Sequence, residues 1–296
     1  MFERFKIAGI GEVLWDVFPD GEEFGGAPAN FIAHSGALGA EAYVVSCVGQ
    51  DYRGQKARDF LEQHSVNTDC LETSGKWPTG TVEVKLDAGG KPSYEIIQPV
   101  AWDYITWSDR LEELAGGLDA VCFGSLAQRN EISRKTIQRF LASTGTDCLR
   151  VFDINIRQQF YTKELILESL SLANALKLND EELPLLAMML EIEGGLESQL
   201  KAVMERFGLR LAVLTSGSDG ALMMTPTDRD LTVPRDVEVV STVGAGDSFT
   251  AGMVLGYLAG KPLAQINRAA NELATYVCTK RGAVPPDLPG LSFDES

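Results

Sequence analysis

Short apolar or β-branched runs recur along the chain, mostly at intervals of roughly 25 to 35 residues. They fall at 5–10 (FKIAGI), 42–48 (AYVVSCV), 119–124 (DAVCFG), 149–153 (LRVFD), 174–178 (NALKL) and 211–215 (LAVLT). Segments 28–38, 53–64, 132–143, 162–173, 196–207, 246–259 and 262–280 instead place apolar residues at three- and four-residue steps, the period of a helix with one buried face. Strand and helix alternate, so the pattern predicts βαβ units and an α/β fold whose mostly parallel sheet is covered on both faces.

One stretch breaks the alternation. In 79–98 (TGTVEVKLDAGGKPSYEIIQ), Val82, Val84 and Leu86 alternate with polar neighbours before Asp87-Ala88-Gly89-Gly90 makes a turn and a second extended run begins. An isolated hairpin is marginal in water, so it needs another extended partner, and 12–26 (EVLWDVFPDGEEFGG) is the nearest. The two segments predict a small β lid (12–26 and 79–98) on a main body of 1–11, 27–78 and 99–296. An antiparallel edge on the main sheet is the alternative. Trp15, Phe18 and Phe24 are either a ring-stacking wall for a ligand or ordinary core.

Charge narrows the partners. The 296 residues hold 26 basic and 42 acidic side chains, a net charge of −16, the wrong sign for a nucleic-acid or anionic-membrane surface. No apolar run reaches the roughly 18 residues of a membrane span, and residues 1–6 lead straight into a strand, which predicts a cytoplasmic protein. Five widely spaced cysteines without a C-x-x-C pair predict reduced core thiols. His34 and His64, the two histidines, stand in no ligand or triad spacing.

Gly9-Ile10-Gly11 lacks the third glycine and the helix of a dinucleotide fingerprint, and Gly260-Lys261-Pro262 is not a Walker loop. Thr242-Val243-Gly244-Ala245-Gly246-Asp247-Ser248-Phe249, by contrast, opens an apolar helical run. Its glycines let the chain turn amides inward at a helix N-terminus, so Gly244, Ala245 and Gly246 can form an anion hole for phosphoryl oxygens. Asp247 could take the proton of an attacking hydroxyl. An acidic first-turn residue that only caps the helix explains the same letters.

Gly25-Gly26-Ala27-Pro28-Ala29-Asn30, Val48-Gly49-Gln50-Asp51-Tyr52-Arg53-Gly54 and Thr242 to Phe249, in this order, resemble the motifs of the PfkB (ribokinase-like) carbohydrate kinases, and of their bacterial fructokinase-type members in particular. The resemblance implies a three-layer αβα fold with a small β-sheet lid, Asp247 as catalytic base and Gly244 to Gly246 as the anion hole. It also implies that Asp16, Gly25, Gly26 and Asn30 hold sugar hydroxyls. Read without it, Gly25-Gly26 is an ordinary turn and Asp16 a solvated strand-end charge. On the nucleotide side, Thr215, Gly217 and Gly220 resemble the loop along ATP, and Asn271, Gly282 and Ala283 resemble positions lining the adenine pocket. Asn179 and Glu182 match an N-x-x-E element that orders magnesium-bound water, although a helix cap fits the same spacing. Pairing of two copies through the outer face of the lid, common in the family, is a further expectation that the sequence alone does not show.

Family members commonly carry aspartate where Ser241 stands, a residue that helps organise a monovalent-cation site, so weak or absent potassium activation is expected. Between Lys6 and Arg53 there is no lysine or arginine, while Glu12, Asp16, Asp20, Glu22, Glu23, Glu41 and Asp51 fall there. This disfavours a phosphosugar acceptor, with Lys85, Lys91 and Arg129 as the cations that could reach over. The Gly11 to Asp16 stretch, Ala101-Trp102-Asp103 and Phe123 to Arg129 have a fructokinase flavour, so fructose is expected first and ribose, another ketose or a nucleoside next. A non-catalytic sugar or nucleotide sensor on the same fold is the reading from another class.

Overall fold

The structure, a computed structural model, describes residues 4–86 and 92–291. Strand β1 (Lys6–Ile10) shows how the layers arise, since Ala8 and Ile10 point into one core and Ile7 into the other. Parallel to β1 run β4 (Glu41–Gly49) on one side and β9 (Ala120–Phe123) on the other. Beyond β9 follow β10 (Leu149–Asp153), β11 (Ala175–Asn179) and β12 (Leu211–Thr215), all parallel. An antiparallel pair, β13 (Ala221–Met224) and β14 (Arg229–Thr232), closes that edge. At the other edge β5 (Val66–Asn67) and β6 (Leu71–Ser74) each pair with β4.

Helices α1 (Ala27–Ala37), α2 (Tyr52–Gln63), α8 (Ala245–Leu258) and α9 (Leu263–Cys278) bury Phe31, Leu61, Phe249 and Ile266 in a core on one face. On the other face α3 (Asp109–Gly116), α4 (Glu131–Ala142), α5 (Lys163–Leu172), α6 (Glu182–Leu190) and α7 (Leu196–Phe207) bury Leu111, Phe140, Leu170, Leu183 and Leu200. This is the expected three-layer αβα arrangement with a mostly parallel sheet.

A second, separate sheet is built from β2 (Leu14–Phe18), β3 (Gly21–Gly25), β7 (Gly80–Leu86) and β8 (Pro92–Ile96), in the order β3-β2-β7-β8. Segment 12–26 thus pairs with 79–98, β2 lying parallel to β7, rather than either joining the main sheet. The hairpin tip Asp87 to Gly90 and Lys91 lie outside the described residues. Period-two alternation puts Asp16 on the face opposite Trp15. Trp15 and Phe24 therefore cannot form the stacking wall offered as one reading. They pack on α2, where the Phe24 and Phe60 rings stack at 4.2 Å and the Trp15 indole donates to the Arg53 carbonyl at 3.1 Å.

Asp51 ties the two sheets together. It caps α2 by accepting from the Gly54 amide at 2.8 Å, and it accepts from the Thr79 amide at 2.8 Å and the Thr79 hydroxyl at 2.7 Å, where the chain enters β7. The Val48 to Gly54 motif is thus an anchor for the second sheet. All five cysteines are unpaired, Cys278 being the one not fully buried. Among the described residues no helix is long and apolar enough to cross a membrane.

Candidate active site

Ligands of parallel α/β sheets gather at the carboxyl ends of the strands. There, under the inner face of the second sheet, lies a cavity of about 720 Å³. Asp16, Gly25, Gly26 and Asn30 line one side, Asn179, Glu182 and Thr215 the other, with Gly244, Gly246 and Asp247 between them.

The centre is the start of α8. Gly244 is its N-cap with φ 79°, and a Cβ there would stand 2.2 Å from the Ala283 carbonyl oxygen, so glycine alone fits. The Ala245 amide bonds back to Thr242 at 3.3 Å. The amides of Gly246 and Asp247 belong to the first turn and have no acceptor within the helix, which leaves donors beside the cavity and a partial positive charge behind them. Asp247 is ordered from across the cavity, its Oδ2 accepting from Asn30 Nδ2 at 2.8 Å. Burial, reinforced by nearby Asp153 and opposed by Lys177, Asn30 and Arg157, pushes its carboxyl up to about 6. At neutral pH it is therefore ionised and close enough to neutrality to take a proton.

Under this cradle lies an ion pair that the sequence reading missed. Asp153 and Lys177 are register partners on β10 and β11, and alternation turns both toward α8. The Lys177 ammonium donates to Asp153 at 3.0 and 3.1 Å, and a Cβ on Gly246 would stand 3.0 Å from it. Burial pulls Lys177 down, but Asp153, Glu182 and Asp247 outweigh it and hold the ammonium above its ordinary value. A lysine within the apolar strand ALKLN was the available signal. Glu12, Asn155 and Arg157 also line the cavity and were missed as ligands. Asp153-Ile154-Asn155-Ile156-Arg157, polar residues at the end of a parallel strand, was their signal. Arg157 changes the charge argument, since it brings a cation to the cavity that the acidic 7–52 segment lacks. Arg129 is occupied instead, its guanidinium paired with Asp103 at 2.7 Å.

On the sugar side, burial first and the neighbouring Glu23 second push Asp16 up to about 6, against the pull of Arg157. Asn179 and Glu182 form a reciprocal cap. The Asn179 side-chain oxygen accepts from the Glu182 amide at 2.8 Å and Glu182 Oε2 from the Asn179 amide at 2.9 Å, while Glu182 Oε1 accepts from Ile156 at 2.9 Å. Thr215 continues into an adjoining cavity of about 290 Å³ whose lining includes Gly217, Gly220, Asn271, Val237, Val239 and Phe249, an apolar slot with a few polar edges. Asn271 turns its amide to Asn267. Gly282 and Ala283, expected in the adenine pocket, stand outside both linings. Ala283 packs behind Gly244, and its carbonyl meets His34 Nε2 at 2.9 Å.

A family model described as pfkB family carbohydrate kinase matches residues 12–289. The chain belongs to the PfkB family of carbohydrate kinases. The fructokinase of Klebsiella pneumoniae is 31% identical over 266 residues, covering 86% of this chain and 85% of that one. The fructokinase of Salmonella typhimurium is 30% identical over 261 residues, with coverages of 84% and 83%. An uncharacterised sugar kinase of Pyrococcus horikoshii in complex with ATP superposes with a TM-score of 0.78 at 27% identity, covering 94% of this chain and 93% of that one. The fructokinase of Xylella fastidiosa with bound ATP shares the fold, with a TM-score of 0.83 at 21% identity and the same coverages. This PfkB kinase is accordingly a sugar kinase that uses ATP.

Proposed function

We propose that the protein is an ATP-dependent fructokinase that transfers the γ-phosphoryl group in line to a primary hydroxyl of fructose, with Asp247 as base. The observation carrying this reading is the Asp247 carboxylate, held by Asn30 in the cavity that adjoins the apolar slot. Asp247 removes the hydroxyl proton as the new O–P bond forms and the bond to the β-phosphate bridging oxygen breaks. Developing charge on the phosphoryl oxygens meets the free amides of Gly246 and Asp247 beside Gly244, rather than that of Ala245, which turns back to Thr242, with Lys177 behind them. Asp16 and Asn30 accept and donate to the sugar hydroxyls, and Gly25 and Gly26 let the ring approach the backbone. Thr215, Gly217 and Gly220 run along the nucleotide, whose base takes the slot near Asn271.

The second sheet acts as the lid. The Gln158 amide donates to the Tyr94 carbonyl on β8 at 2.7 Å, so the lid rests on the loop that carries Arg157 and its closure over sugar excludes water from ATP. The Asn179–Glu182 cap suits magnesium only through water, since both carboxylate oxygens already accept amides. Asn179 and Glu182 would hold the ion's water shell, and the ion would supply charge neutralisation to the phosphates of ATP.

With Arg157 and Lys177 facing Asp16, Glu182 and Asp247 in the cavity and Lys177 paired with Asp153 beneath it, the cations are matched by carboxylates and leave no surplus for a phosphate on the acceptor. A coupled assay with fructose, ribose, adenosine, fructose 1-phosphate and tagatose 6-phosphate tests this. Fructose should give the highest kcat/KM, and a phosphosugar or nucleoside turned over faster than fructose rejects the assignment.

Potassium should leave the rate unchanged. Ser241 brings no carboxylate to a cation cage, and its hydroxyl oxygen already accepts from the Val243 amide at 3.2 Å. Rates measured against potassium at fixed ionic strength should be flat, and a steep rise refutes the expectation.

A further inference from the structure

Glu12 is 1% exposed, lines the main cavity and leaves Oε2 buried with no hydrogen-bond partner among the described residues. A second atom in the same wall shares that condition. Asn30 Oδ1 is also buried and partnerless, although Asn30 Nδ2 is committed to Asp247. Both border the Gly26–Ala27 turn. A Cβ on Gly26 would lie 3.4 Å from Glu12 Cγ, the Ala27 amide acts on the Glu12 carboxyl, and the Asn30 amide bonds to the Gly26 carbonyl at 2.8 Å. Helical side chains lean toward the helix N-terminus, so the Asn30 carboxamide overhangs the Gly26–Ala27 turn against which Glu12 is packed. Two buried acceptors in one wall, each without a hydrogen, would each bear a desolvation cost. One proton satisfies both.

We propose that Glu12 carries a proton in the working enzyme and donates it in a hydrogen bond to Asn30 Oδ1, which locks the carboxamide with Nδ2 turned to Asp247. Glu12 is then a positioning residue, acting on the base through Asn30, and the proposal rests on the kinase reading above. The chain runs from Glu12 to Asn30 to Asp247. If Glu12 ionises, Asn30 loses its donor, and the carboxamide is free to turn its oxygen toward the Asp247 carboxylate, where it repels instead of holding.

The surroundings suit this role. Burial, against the pull of backbone amides and Arg157 and with the repulsion of Asp247, pushes Glu12 up to about 7. The titratable groups that line the cavity with it are Asp16 on β2, Tyr94 on β8, Arg157, Lys177 on β11, Glu182 on α6, which burial also raises, and Asp247 on α8, with His34 on α1, Cys122 on β9 and Asp153 on β10 in the body behind. Burial holds His34 neutral with its value pulled to about 4, and pushes the Cys122 thiol well up. Asp16 and Asp247 sit at about 6. Glu12 is thus the group among them placed to change charge just above the range in which the base ionises.

The test is the pH profile of kcat and kcat/KM between about pH 5 and 9 for wild type, Glu12→Gln, Glu12→Ala and Asp247→Asn, with ATP and the best sugar. Wild type should rise as Asp247 ionises through about 6 and fall as Glu12 ionises above about 7. Glu12→Gln keeps a donor that cannot ionise, so the alkaline fall should vanish. Glu12→Ala should lose about tenfold or more in kcat, which the glutamine recovers. An alkaline fall unchanged in Glu12→Gln overturns the proposal, as does Glu12→Ala with wild-type kcat. So does an effect confined to the sugar KM, which would put Glu12 on the sugar. Near-normal turnover of Asp247→Asn would reject the kinase reading itself, whereas an inactive Asp247→Asn beside negative Glu12 results rejects the Glu12 proposal alone.

Discussion

Asp247→Asn is expected to lower kcat by a factor of about 10²–10⁴, the usual worth of a positioned general base, while MgATP still binds. The amide is isosteric and can still accept from Asn30 Nδ2, whose bond to Asp247 now spans 2.8 Å, so the cavity keeps its shape and loses its proton acceptor. Stability should move the other way. A carboxyl held at about 6 in the folded protein, against an ordinary 3.8, opposes folding wherever it is charged. The sign follows from linkage. The native state binds the proton more tightly than the unfolded chain, so the penalty is complete above about 6 and disappears below about 4. The variant should therefore gain stability at pH 7, by at most about 3 kcal/mol, and lose that advantage on acidification. A coupled assay, calorimetric ATP titration and denaturant melts at two pH values measure the three quantities. Turnover within about threefold of wild type would remove Asp247 as the base.

The opposed effects explain why part of the site could be read in the sequence and part could not. Asp247 stands in a Gly-x-Gly frame that has few structural reasons to exist, and the N-cap at Gly244 with its positive φ is what those letters demand. The βαβ alternation was equally legible because parallel strands buried on both faces leave unbroken apolar runs, and the seven periodic helices fall within two residues of expectation. Helix α6 was missed because ELPLLAMML is apolar nearly all round and shows no polar face at a 3.6-residue period. Strands β13 and β14 are four residues each, too short for any period. Glu12, Arg157 and the Asp153–Lys177 pair were hidden for another reason. Their meaning depends on partners that the sheet brings alongside from distant parts of the chain, and neither residue type nor spacing encodes that meeting. The Asn179–Glu182 cap shows the converse, since the letters that suggested a metal element also make a local hydrogen-bonded structure.

Lys177→Met is expected to damage both stability and rate, and a second substitution separates the two. Asp153 is 4% exposed, and its remaining side-chain partner in the structure is the Thr250 hydroxyl at 3.4 Å. Removing the ammonium leaves a buried, uncompensated carboxylate, at a cost of about 3–5 kcal/mol, read as a lower denaturant midpoint with an unchanged m-value. Replacing both partners, Lys177→Met with Asp153→Leu, substitutes an apolar contact for the pair and should restore most of that loss, because exchanging a buried ion pair for packed hydrophobic side chains is often neutral or better. Turnover should not return. The ammonium stands behind Gly246 and is one of the groups holding Asp247 down, so its loss weakens the cradle where phosphoryl charge develops and lowers kcat by about 10²–10³. With Lys177 alone replaced, Asp247 should also ionise at higher pH, moving the acid side of the rate profile upward. A stable double variant with wild-type turnover would assign the pair to the fold alone. A stable and inactive one would show that the same lysine holds two strands together and completes the phosphate cradle.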